Sequence, residues 1–157
     1  MHSSFDPLSE TTVNTIADRD LMICPTLWVF ESACFGIENN LHHCHEYSSL
    51  TSKKVRRDWN RYKEAYDASD DILPEGIAGG QKKSRAKEGI RTAAANLKLL
   101  HERKVKFSFG NDANFGLSHI ARPLDELLSN QRAGLTIVEC LQSVSYTHLR
   151  AHETSTY

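Results

Sequence analysis

With 157 residues the chain is long enough for one domain with a core. It falls short of the about 250 residues of a complete barrel of alternating strands and helices. Nineteen basic side chains nearly balance twenty acidic ones, for a formal net charge of -1, so no basic field marks a nucleic-acid partner.

The longest apolar run, Leu21 to Phe30, is broken by Pro25 and Thr26 and is too short to span a bilayer. No membrane partner is expected. The four cysteines, Cys24, Cys34, Cys44 and Cys140, form no Cys-x-x-Cys pair. Their spacing suggests no disulfide framework, and a reduced, cytoplasmic setting is the default. No basic start or apolar h-region of a signal peptide is visible.

Asp6-Pro7 reads as a helix opening, an N-cap acid followed by proline at the first helical position. Leu8, Thr12, Val13, Ile16 and Ala17 follow at helical spacing, and Asp18-Arg19-Asp20 closes the helix. Leu21 to Cys24 is a compact apolar run that predicts a buried strand. Pro25 cannot donate to a ladder and belongs at the strand end or a bulge. Residues 31 to 49 read as irregular, with Gly36, Asn39-Asn40 and a histidine cluster.

A charged helix is predicted over about Ser52 to Ala68, with Val55, Trp59, Tyr62 and Tyr66 along one side. Its Lys/Arg-rich run, Lys53 to Lys63, is mixed with Asp58 and reads as a solvated face. Asp70-Asp71 through Gly79-Gly80 is a loop. A second long helix covers about Gln81 to Arg103, with an apolar stripe of Ile90, Ala93, Ala94, Leu97 and Leu100.

The stretch Lys104 to Phe109 alternates Val105, Phe107 and Phe109 with Lys104, Lys106 and Ser108, the period-two pattern of a strand. Gly110 frees the backbone, and Asp112 sits just past the strand's carboxyl end. A helix over about Pro123 to Gln131 should turn Leu124, Leu127 and Leu128 inward, and Gly134 should end it. Thr136-Ile137-Val138-Glu139 reads as a capping box that starts a further helix. Strands separated by helices make an α/β fold, and no internal repeat is evident.

Four segments, in order, resemble the C-terminal part of a metal-dependent amidohydrolase barrel of the imidazolonepropionase and prolidase-related branch. Met1-His2 before a helix resembles the end of the family's strand six, where a histidine stands. Ile23-Cys24-Pro25-Thr26-Leu27 resembles the Pro-Thr-Leu ending of strand seven. Phe109-Gly110-Asn111-Asp112-Ala113 resembles the Gly-Thr-Asp-Ala ending of strand eight, with Asn111 where threonine is common. Glu126-Leu127-Leu128 and Ala133-Gly134-Leu135-Thr136 resemble the helix and turn that follow.

The resemblance covers about residues 2 to 143 and implies a partial, incomplete (β/α)8 TIM-type barrel, strands six or seven to eight with their helices. It implies hydrolysis of an amide or other C–N bond in a small-molecule substrate. A divalent metal, usually zinc, would lower the pKa of a water to near neutrality. Asp112 would bind that metal and shuttle the proton. His2 would be a metal ligand or a substrate-orienting donor. The family's other ligands, on strands one, four and five, have no counterpart in the chain, so the chain alone is expected to be inactive.

Each of these residues also has a plainer reading. Asp112 is good turn chemistry after a strand. His119 either lines a substrate pocket or sits on a surface loop. His42-His43-Cys44-His45 is either a metal cluster, which would make the chain a self-standing metal-binding or interaction module, or a solvent-facing tract. An α/β barrel enzyme with a strand-end acid and no metal is a third possibility. Cys24 and Cys140 read as small buried hydrophobes.

Val144 to Thr154 resembles, over eleven residues, the peptide encoded by the transposase adapter of short-read library preparation. That implies a natural segment 1–143, itself lacking its beginning, and an artefact tail 144–157 outside fold reasoning. The alternative is a helical tail with His148 and His152 one turn apart.

Overall fold

The computed structural model of the chain describes residues 3–36, 38–39, 49, 51–70, 82–112 and 123–153. The first helix, α1, runs Glu10–Asp18 and starts later than Asp6-Pro7 suggests. Ser9 is its cap, the hydroxyl accepting from the Thr12 N–H at 3.1 Å. The backbone before it is used at long range. Leu8 N–H donates to Asn96 Oδ1 at 3.0 Å, and Asn96 Nδ2 donates to the carbonyls of Ser4 and Asp6 at 3.1 and 2.9 Å. Those bonds strap the N-terminal segment onto a distant helix and leave Asp6 no capping role.

Strand β1 is Met22–Ile23, with Pro25 just past it. A short helix, α2 (Leu27–Glu31), then passes into a π-helical turn, Ser32–Gly36, where an irregular stretch is predicted. Helix α3 is Lys53–Ala68, capped by the Ser52 hydroxyl accepting from Val55 N–H at 3.3 Å. Trp59 and Tyr66 are its buried residues, and its charges form exposed pairs such as Lys63–Asp67 at 2.7 Å. Helix α4 is Lys83–Glu102 and buries Ile90, Ala93, Leu97 and Leu100 as the stripe predicts.

Strand β2 is only Lys106–Phe107. Its ladder ends early because the Phe109 N–H leaves the sheet and donates to the Ser143 carbonyl at 3.2 Å. Helix α5 spans Pro123–Arg132, and Gly134 follows with φ +119°, the left-handed residue that stops it. Helix α6 is Ile137–Glu153. Its capping box is formed: Thr136 N–H donates to Glu139 Oε2 at 2.8 Å, and Glu139 N–H to Thr136 Oγ1 at 3.2 Å. The helix crosses residue 143 without a break.

The two strands pair in parallel, Met22 opposite Lys106 and Ile23 opposite Phe107. Parallel neighbours need a crossover between them, and α2, α3 and α4 lie in that connection. The fold is therefore α/β in the broad sense, mostly helical around a two-stranded parallel sheet. The core gathers Val13 and Ile16 of α1, Ile23 of β1, Leu27 of α2, Leu97 and Leu100 of α4, Val105 and Phe107 around β2, and Leu135 and Cys140. Full burial of each large side chain is worth about 1.5–3 kcal/mol. A smaller cluster of Cys34, Ala86 and Ile90 packs with Phe5, Phe30 and Phe35. Phe5 and Phe30 meet edge to face, centroids 4.5 Å apart. Among the described residues, no helix is long and apolar enough to cross a membrane.

Helix α5 corrects one expectation. Leu124 and Leu128 are exposed, at 54% and 39%, while Glu126, Ser129 and Asn130 are buried. The helix presents its polar stripe to the protein because that stripe has backbone partners waiting for it, described next.

Candidate functional site

Parallel pairing brings the carboxyl ends of β1 and β2 side by side, where groups free of the ladder can gather. Ser108 N–H donates to the Ile23 carbonyl at 2.8 Å and carries the pairing one step past the strands. Beyond it the β1 side continues as Cys24, Pro25 and Thr26, and the β2 side as Phe109, Gly110, Asn111 and Asp112. The two sides touch. A Cβ placed on Gly110 would lie 2.6 Å from Cys24 Sγ, so only glycine lets the chains approach this closely.

Two residues at these ends adopt left-handed backbone without being glycine. Thr26 has φ 51° and ψ 42° and is buried; Asp112 has φ 44° and is exposed. For a β-branched threonine this conformation costs on the order of 1–3 kcal/mol and persists only when its surroundings enforce it. Aspartate tolerates it far better.

Glu126 supplies part of that enforcement. It is fully buried, and its carboxyl accepts from the Leu27 N–H at 3.0 Å and the Trp28 N–H at 2.7 Å, the first two amides of α2. Burial pushes the Glu126 pKa up to about 8, against the pull of these two amides and of the Asn130 side chain one turn on. A second tie lies beside it: Glu31 Oε2 accepts from Ser129 Oγ at 2.7 Å and from Arg132 Nη2 at 2.6 Å. The indole N–H of Trp28 and the amide oxygen of Asn130 are buried without a partner among the described residues.

Cys24 is half-buried, where full burial is expected. Burial pushes its thiol up, the Ser108 hydrogen bond pulls it partly back, and the Glu126 and Asp112 carboxyls push it up again. A thiol held protonated is a poor nucleophile. Cys34, at the π-helical turn, is pushed up to about 11 by burial and is equally inert. Near it Tyr66 donates to Glu38 at 2.9 Å, and Lys83 lies 3.9 Å over the Tyr66 ring, ties that join three helical elements.

Asp112 is the group left available. Its carboxyl is exposed and makes no hydrogen bond or ion pair among the described residues. A single carboxylate can take up a proton or a cation, but it does not make a zinc centre, which needs about four ligands. Among the described residues, no three His, Cys, Asp or Glu side chains come together to hold a metal ion. His2, His119 and the His42–His45 cluster lie outside the described residues. The chain neighbour of His2, Ser3, donates its hydroxyl to the Pro25 carbonyl just past β1. A cavity of about 450 Å³ lies on another side of β2, lined by His101, Lys106, Phe107, Glu139, Ser143 and Tyr146; Asp112 is not part of it.

Sequence reasoning missed Glu126 as a site-forming residue. Its signal was present: Glu126, Ser129, Asn130 and Ala133 stand at helical spacing, a polar stripe competing with Leu124, Leu127 and Leu128. Compared with the models of known families, with curated proteins and with solved structures, the chain has no match.

Proposed function

We propose that this chain is the closing part of a metal-dependent hydrolase of amide or other C–N bonds, built on a (β/α)8 barrel, with Asp112 as its strand-end acid. One observation carries the reading. Two parallel strands separated by helices end together, and the segment that follows the second carries an exposed carboxylate, Asp112, with no hydrogen-bond or ion-pair partner among the described residues. In barrels of this type the catalytic groups cluster at that end of the strands. The close approach of Gly110 to Cys24 supports a mouth rather than two unrelated loops.

In this reading Asp112 holds a divalent metal, zinc by preference, through one carboxylate oxygen and a proton through the other. When bound, the metal supplies a water of near-neutral pKa and polarises the substrate carbonyl. His2 is a second ligand or a substrate-orienting donor, and His119 a substrate-binding residue. The family's remaining ligands stand on strands one, four and five, which the resemblance does not cover, so the chain alone is expected to be catalytically silent, with a small amide-type molecule as the parent enzyme's substrate.

The test is to resequence the source DNA across both ends of the frame and express the complete gene. The expected result is an upstream apolar strand ending in His-x-His and a metal-dependent amidase. Its Asp112→Asn variant should lose about 10³-fold or more in kcat, a loss on the scale of removing a central catalytic group. A frame that starts at Met1 and truly encodes Thr154 overturns the proposal. Stoichiometric zinc that is lost in His43→Ala and His45→Ala, but kept in Asp112→Ala, would then identify a histidine-cluster module instead.

A further inference from the structure

We infer that Glu126 is the positioning residue of this mouth: reaching across from α5, its carboxyl holds the Pro25–Thr26–Leu27 turn in its left-handed form and so sets the β1 wall that faces Asp112. The inference rests on the reading above only in calling the strand ends a mouth.

The geometry is specific. The two amides that Glu126 holds follow directly after Thr26, the strained residue. They are the first donors of a five-residue helix, which is too short to hold its own ends. Without the carboxyl, Leu27 and Trp28 would each leave a buried N–H unpaired. Thr26 would then lose one of the restraints on its left-handed form, and any relaxation runs toward the extended region that a β-branched residue prefers. The wall it belongs to touches Gly110 through Cys24, so relaxation on the β1 side is transmitted to the segment that carries Asp112.

Among the described residues, the titratable groups acting on or felt by Glu126 are Glu31 of α2, Cys24 past β1 and Cys140 of α6. Burial pushes Glu126 up first, Glu31 adds to that push, and Arg132 partly neutralises Glu31 through their 2.6 Å ion pair. The folded-state value of Glu126 lies above its ordinary one. Its contribution to stability is therefore full below about 4.5 and is lost as the pH rises through about 8.

The experiment uses the 157-residue chain, isotope-labelled, and follows backbone amide resonances as the pH is raised from 4 to 10. Leu27 and Trp28 are expected to shift together with one midpoint, and Gly110 and Asp112 to follow it weakly. Glu126→Gln keeps the shape but cannot ionise, and it turns an NH₂ toward donors. It should abolish the common titration, speed hydrogen exchange at Leu27 and Trp28 by about tenfold or more, the effect of losing about 1.4 kcal/mol, and move Gly110.

Ser9→Ala, a lost cap far from the mouth, should do none of these. Unchanged hydrogen exchange at Leu27 and Trp28 in Glu126→Gln overturns the inference, as does a common titration that persists in that variant. Should Glu126→Gln fail to fold, Glu126→Asp, whose carboxyl falls short of the two amides, is read by the same exchange measurement. No metal enters this experiment, so the clamp can stand where the hydrolase reading falls, and the reverse.

Discussion

Substituting Gly110 by alanine tests how tightly the two strand ends are joined. The new Cβ would lie 2.6 Å from Cys24 Sγ, about an ångström inside ordinary contact. Relief requires the thiol to turn away within surroundings that already half bury it. Overpacking of this kind costs about 1–3 kcal/mol. Gly110 does not have positive φ, so alanine carries no backbone penalty there. It even gains about 0.4–1 kcal/mol by restricting the unfolded chain. A net loss of about 1.5 kcal/mol is expected, which lowers Tm by about 3–6 °C in a protein of this size.

Cys24→Ala removes the obstructing sulfur and should cost about 1 kcal/mol or less by itself. In that background Gly110→Ala should be neutral or stabilising, giving a coupling energy of about 1.5–2 kcal/mol. Urea unfolding of the four chains, followed by helical circular dichroism, reads the cycle. An equal cost of Gly110→Ala in both backgrounds would refute the claim that the strand ends meet through Cys24.

Three further outcomes are expected. Ser9→Ala should destabilise by about 0.5–2 kcal/mol through the loss of the α1 cap, whereas Asp6→Ala should leave urea stability unchanged within about 0.5 kcal/mol. Glu139 is held down to about 2 by the Thr136 hydroxyl first, then by His101 and the Thr136 N–H. Its stabilising contribution should be present above about pH 4.5 and fade as the pH falls toward 2, so Glu139→Gln should flatten the acid limb of a stability profile. Gly89→Ala brings a Cβ to 2.9 Å from the Phe5 ring. It should destabilise the unaltered chain but stabilise Phe5→Ala by about 0.5–1 kcal/mol, the helix propensity gained once the ring is gone; thermal unfolding of the pair decides.

Elements that a residue pattern alone can specify were readable from the chain. The α4 stripe, the Gly134 stop and the Thr136–Glu139 box all depend on neighbours within one or two turns, and local chemistry was enough to find them. What escaped depends on partners far away. Asp6-Pro7 looks like a cap until Asn96 claims the surrounding backbone. The short helix at residues 27–31 was not foreseen, because the carboxyl that caps it comes from about a hundred residues on. The leucines of α5 look like the inward face for the same reason. Hydrophobic periodicity cannot register that two buried amides will draw a glutamate inward. Asp112 was found at the end of its strand, though the ladder is shorter than the alternation from Lys104 to Phe109 suggests.

The two acids near the strand ends illustrate how one fold divides a single chemistry. Glu126 and Asp112 carry the same functional group, and their environments assign it opposite tasks. Glu126 is withdrawn from water, and its oxygens are committed to two amides. An acid so committed cannot also bind a substrate or a cation without releasing the turn it holds. Asp112 sits in the open on a left-handed residue, with no partner among the described residues. Nothing in the described packing requires its charge. Asp112→Asn should therefore leave urea stability within about 0.5 kcal/mol of the unaltered chain, whereas Glu126→Ala should cost about 3 kcal/mol or more, because it strands two buried donors at once. If Asp112→Asn proved as destabilising as Glu126→Ala, Asp112 would be a structural turn residue, and the hydrolase reading would lose the acid on which it depends.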